Sequence, residues 1–165
     1  MFKPWIEKNL DTLGASVGGL VYRRSLLFSQ SMESPSLQAV LQETTVDIPN
    51  LVSQDWQAVT IKTSVGSFLA AFLVYQWIDF SAPTVLFVHG SGEQPHDFSR
   101  FSSNSFKDIF TRGFDRKINL ILLRAPFHEG SQGQYMQALS RMENYVGMLA
   151  CTAALLHGLA RHLKD

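Results

Sequence analysis

Two short apolar runs constrain this chain more than any other feature. "TVLFV" at 84–88 and the apolar part of "KINLILLRAP" at 117–126 are dense in branched side chains and end in turn residues. Runs of that length and composition fit strands of a parallel sheet, which are covered on both faces. Between them, "FSSNSFKDIFTRGF" sets Phe106, Ile109 and Phe110 at helical spacing, with Gly113 placed to cap the helix. Strand, helix and strand in that order predict a parallel pair joined by a right-handed crossover, hence an α/β fold.

The flanking segments extend this core. In "WQAVTIKTS", Trp56, Ala58, Thr60 and Lys62 alternate with Gln57, Val59, Ile61 and Thr63, the period of a strand with one face more buried. "SVGS" supplies a turn, and "FLAAFLVYQWI" reads as a second strand, apolar on both faces. The pair predicts an antiparallel hairpin around Gly66. Downstream, Tyr135, Leu139, Met142, Val146, Leu149, Ala153, Leu156, Ala160 and Leu163 form one continuous stripe at steps of four and three. Alanine at two of these positions, and the strand before them, favour a helix packed on a sheet over a coiled-coil seam. Gly147 and Gly158 weaken this helix and mark either a bend or close packing. Residues 1–50 read as a partly helical leader, with Ser34 before Pro35 as a helix start. The α/β domain is expected over 51–165.

Composition narrows the partners. With 165 residues the chain can bury a real core, and 45% hydrophobic against 17% charged residues is an ordinary globular balance. Fourteen Lys+Arg match fourteen Asp+Glu and no basic stripe is present, so no nucleic-acid partner is expected. One cysteine, Cys151, excludes an intramolecular disulfide, and its setting in "GMLACTAALL" makes it a small buried hydrophobe. Glu7 and Asp11 interrupt the N-terminal region where a signal peptide needs an apolar core. The longest apolar stretches, 68–78 and 145–160, fall short of the ~20 residues that span a bilayer. A soluble, cytoplasmic chain without a transmembrane segment is expected.

The chemistry concentrates where the first run ends, in "VHGSGEQPHDF". A dinucleotide fingerprint needs a third glycine where Pro95 stands, and Glu93 would repel a pyrophosphate. A P-loop needs a lysine directly after its glycines, yet the next one is Lys107. His89, His96, Asp97, His128 and Glu129 offer metal ligands, but in no local zinc spacing. No metal or cofactor is implied. Acyl transfer fits better, because it needs backbone N–H donors at a strand's carboxyl end aimed at a developing alkoxide. Glycines on both sides of Ser91 let the main chain turn sharply there.

"TVLFVHGSGEQPHDF", "INLILLRAPFHEGS" and the long helix ending "ALLHGLARHLKD", in that order, resemble the first half of an α/β-hydrolase of the lipase/esterase-like kind. The resemblance covers residues from about 55 to 165. It implies an α/β-hydrolase sheet that is incomplete here: an N-terminal antiparallel hairpin, two parallel strands with a crossover helix, and a long C-terminal helix. It also implies an oxyanion loop at His89, Gly90, Ser91 and Gly92. In that loop the peptide nitrogen of Ser91 or Gly92 is a donor, and His89 holds the loop's shape. Pro126, Phe127 and His128 are implied as part of a substrate pocket.

In such proteins the nucleophile elbow Gly-x-Ser-x-Gly follows the long helix, on a strand beside the one ending at His89. Here Asp165 comes first. "GASVG" at 14–18 matches in letters only, because "NLDTL" is a poor buried strand and lies upstream, which argues against Ser16. His157 and His162 read as surface groups near a helix C-terminus. The chain is therefore expected to be the N-terminal portion of a serine hydrolase, a truncated or split gene product, lacking the triad and inactive alone. A small acyl or ester substrate is expected only once a C-terminal half completes it. The alternative is a non-catalytic α/β module that uses an exposed sheet edge to form homo-oligomers or bind a partner.

Overall fold

Alternation in residues 56–63 becomes β1 (Gln57–Thr63), in which Val59 and Ile61 are buried while Ala58, Thr60 and Lys62 face solvent. The computed structural model describes residues 34–49, 51, 55–112 and 116–164. β1 turns through Ser64 and Val65 into β2 (Gly66–Gln76), antiparallel to it, with Thr63 opposite Gly66. Gly66 adopts φ +146, a conformation that side-chain-bearing residues seldom take. β2 alternates Phe68, Ala70, Phe72 and Val74 toward one side of the sheet and Leu73 toward the other.

The chain then crosses to β3 (Thr84–Val88) and passes through α2 (Ser105–Phe110) to β4 (Asn119–Arg124). β4 inserts between the others, parallel to β3 and antiparallel to β2, giving the sheet order β1-β2-β4-β3. Asn119, fully buried, fastens the β2–β3 connection. Its amide donates to Asp79 O and Thr84 Oγ1 at 2.8 and 3.1 Å, and its carbonyl oxygen accepts from Ile78 N–H at 2.8 Å.

One helical segment precedes the sheet, α1 (Leu37–Gln42), and two follow β4: α3 (Gln132–Ala138) and α4 (Met142–His162). Cys151, Leu155 and Leu159 of α4 share a core with Val59, Ile61, Phe72, Ile121 and Leu123. On the opposite face Phe106 of α2 packs on Leu73, Leu120 and Leu122. The architecture is a mixed α/β fold with helices on both faces of a four-stranded open sheet. Among the described residues no helix is long and apolar enough to cross a membrane.

Five expectations change. β3 is only half-buried, with Val88 38% exposed, because it lies at the sheet edge with β4 as its neighbour. The C-terminal stripe is broken at 139–141 into α3 and α4, where Asn144 Nδ2 donates to Ala138 O at 2.7 Å. Its buried face is also displaced: Gly147, Ala150, Cys151, Ala154, Leu155, Gly158 and Leu159 face inward, while Leu149 is exposed. Helix α1 is capped by Ser36, which accepts from Ala39 N–H, whereas Ser34 bonds to Pro35 O. In α2, Ile109 is 54% exposed and the C-cap is Thr111. Gly113 and the leader over 1–33 lie outside the described residues.

Candidate functional site

Both parallel strands release the chain at the same end of the sheet, the position where open α/β sheets bind ligands. β3 runs into His89–Gly92, and β4 runs into Ala125–Gly130. A third element, α3, opens beside them. Ser131 caps it, accepting from Gln134 N–H, while the Gln134 side chain accepts from Ser131 N–H. This capping box fixes where the helix starts and so where Tyr135 stands.

Two histidines join the loops. Ala125 N–H donates to His89 Nε2 at 3.0 Å, and Gly92 N–H donates to His128 Nε2 at 3.3 Å. Each ring's other nitrogen faces a carbonyl of its own loop: His89 Nδ1 lies 2.8 Å from Gly90 O, and His128 Nδ1 lies 3.0 Å from Pro126 O. A carbonyl only accepts, so both rings carry their proton on Nδ1 and are neutral. The imidazole centroids are 4.2 Å apart and both residues are buried. Burial pushes the His89 imidazole down to about 4, and burial likewise lowers His128.

Around this pair the remaining groups are tied down. Ser91 Oγ and Tyr135 Oη are 2.5 Å apart, and the Tyr135 ring lies 4.4 Å from that of His128. Burial raises the Glu93 carboxyl, but hydrogen bonds from the Ser105 hydroxyl at 2.7 Å and its N–H at 3.0 Å outweigh that and hold it below the ordinary range. A Cβ on Gly90 would stand 2.8 Å from Glu93 Oε1, so a larger residue there would push the Glu93 carboxylate aside. Gly92 has φ +74, and Phe127 has φ +70, a left-handed conformation that costs a non-glycine residue about 1–3 kcal/mol. The Phe127 ring meets Phe68 edge-on at 5.8 Å.

All the residues expected at the site come together here: His89, Gly90, Ser91 and Gly92 on one loop, Pro126, Phe127 and His128 on the other. Of the two expected oxyanion donors, Gly92 N–H is taken by His128, while the Ser91 N–H meets no acceptor among the described residues. His96 and Asp97 do not join the histidine pair, Glu129 acts on His128 through its charge without a hydrogen bond to it, and no cluster of three or more His, Cys, Asp or Glu suited to a metal occurs among the described residues. His157 and His162 are exposed on α4, and Ser16 lies outside the described residues. A cavity of about 170 Å³ beside the second loop is lined by Phe127, Glu129, Gly130 and Gln134. A larger one, about 750 Å³, lies between α1 and the end of α4 and shares no residue with the loops.

Sequence reasoning missed Tyr135 and Glu93 as site residues, and with them the loop's internal frame. Asn104 Nδ2 donates to Pro95 O and Asp97 O, and Lys107 Nζ donates to Ser99 O and Ser102 Oγ at 2.6 and 2.8 Å. Tyr135 sat on an apolar stripe, where only its hydroxyl signalled a need for a polar partner. Comparison of the chain with protein-family models, curated proteins and solved structures finds no match in any of the three.

Proposed function

We propose that this chain carries the oxyanion-loop half of a serine hydrolase of the α/β-hydrolase kind, acting on a carboxylic ester or similar acyl substrate. The observation that carries the proposal is the tight His89–Gly92 turn at the carboxyl end of β3, a parallel strand whose outer side is unpaired among the described residues. In the fold that the sequence resembles, the nucleophile strand lies on that side. The Ser91 N–H is then one oxyanion donor, because Gly92 N–H is engaged by His128. The second donor follows the nucleophile, on polypeptide that pairs with β3. Donors fixed by hydrogen-bonded loops need no reorganisation as charge develops, and one such donor contributes roughly 3 kcal/mol to the transition state. In this reading Pro126, Phe127 and His128 belong to the substrate pocket, and of the three His128 meets the turn directly, through Gly92 N–H.

The open side of β3 also favours a non-catalytic module that pairs edge to edge with another copy or a partner, since unpaired strand edges template association. One experiment separates the two. The chain is expressed alone and together with any coding sequence that continues its frame, and each product is assayed on short-chain aryl esters. The hydrolase proposal expects turnover only from the longer product. A defined dimer of the 165-residue chain, with no turnover from either product, favours the module and overturns the hydrolase.

A further inference from the structure

The two imidazoles hold each other's loops reciprocally. His89 stands on the first loop and accepts from the second, at Ala125 N–H; His128 stands on the second and accepts from the first, at Gly92 N–H. Each bond needs an unprotonated Nε2. A proton there would turn the acceptor into a donor facing another donor, and the bond would become a repulsive contact. Two imidazolium rings 4.2 Å apart would also repel each other.

We propose that His89 and His128 form a latch across the two loops that stays closed only while both rings are neutral, so that acid releases the loops and frees the Gly92 N–H. The latch rests on these hydrogen bonds alone and holds whether or not the loops serve acyl transfer.

The groups facing the pair are few. His89 is faced by His128, Glu93 and Arg124, and His128 by His89, Glu93 and Glu129, with the Tyr135 ring packed against it from α3. Glu93 and Glu129 favour a charged ring, while Arg124 and the opposite imidazole disfavour one at His89. Burial outweighs the carboxylates at both positions, and Glu93 is already occupied by Ser105. The sign follows: both rings titrate lower in the closed form than in the open one. The closed form is therefore fully favoured above the ordinary imidazole range, and that advantage is lost as pH falls toward about 4. Phe127, strained at φ +70 between Pro126 and His128, stores backbone strain that release of the loops would relieve.

Amide hydrogen exchange tests the latch. Protection factors, corrected for intrinsic rates, are followed at Gly92, Ala125 and the strand residue Leu122 from pH 7 to 4. Protection at Gly92 and Ala125 is expected to fall by roughly a hundredfold over that range while staying below that of Leu122. In the double variant His89→Gln/His128→Gln, whose amide oxygens accept at the two Nε2 positions without titrating, protection at Gly92 and Ala125 is expected to stay flat. Imidazole ¹⁵N shifts of the unmodified chain at pH 7 are expected to show both protons on Nδ1, a readout that needs no variant. Protons on Nε2, or one protection factor shared by all three amides at every pH, would overturn the latch.

Discussion

Gly147 shows how one missing methyl group positions an entire helix. A Cβ there would overlap the Phe68 ring, which is 94% buried and held edge-on against Phe127. At Gly158 the nearest atoms are side-chain termini, Val46 Cγ1 at 2.9 Å and Ile48 Cδ1 at 3.0 Å. Helix propensity alone favours alanine over glycine by about 1 kcal/mol at either site. The overlap reverses that at Gly147, because the ring cannot retreat. Gly147→Ala is therefore expected to destabilise by about 1–3 kcal/mol, and Gly158→Ala to remain within about 1 kcal/mol of the unmodified chain, both read by urea denaturation. The sequence showed these glycines only as weak points in a helix, with a bend and close packing both open. It drew the apolar stripe through Leu149 and Ala153, off the true inward face, because small residues carry no hydropathy signal. His89 and Ser91 stood out through their glycine neighbours, whereas Tyr135 and Glu93 did not. Their partners are distant in sequence or belong to a turn whose course no local pattern predicts.

Among elements, the strands were the most legible. Period-two alternation marked β1, and continuous apolar runs marked β2, β3 and β4, because each strand's burial is written residue by residue along it. Boundaries between helices were less so: Leu139 continues the apolar period through the break between α3 and α4, which rests on backbone and Asn144 hydrogen bonds. Asn119 was equally hidden, a polar residue in an apolar run. Its three shortest hydrogen bonds fasten the connection that swings β3 outside β4. Asn119→Ala removes them and leaves part-buried backbone groups unpaired, at an expected cost of roughly 2–4 kcal/mol. Thermal unfolding would show this as a lowered midpoint, and an unchanged midpoint would mean that the crossover is held elsewhere.

At the scale of the molecule, the sheet has two edges among the described residues, β1, which meets only the isolated Thr45–Lys62 bridge, and β3. Among the described residues the order β1-β2-β4-β3 leaves β3 paired with β4 alone, and Val88, Phe98 and Phe101 are exposed on β3 and the loop after it. Paired parallel strands with a helix crossing between them could be expected from pattern alone. The insertion of β4 between β2 and β3 could not, since it depends on nonlocal pairing. The site lies at the β3 edge. Its loops are braced by His89, His128 and the α3 capping box, and nothing on the described surface pairs with the outer side of β3 beside the turn. In the proposed function this turn supplies one oxyanion donor, the Ser91 N–H, to a nucleophile outside residues 1–165, so that Ser91 is not itself the nucleophile. The most direct measurement treats the purified 165-residue chain with a fluorophosphonate probe and maps any adduct by peptide mass. No labelled serine is expected in this chain. Stoichiometric labelling of Ser91, 2.5 Å from the Tyr135 hydroxyl, or of Ser16 would contradict it.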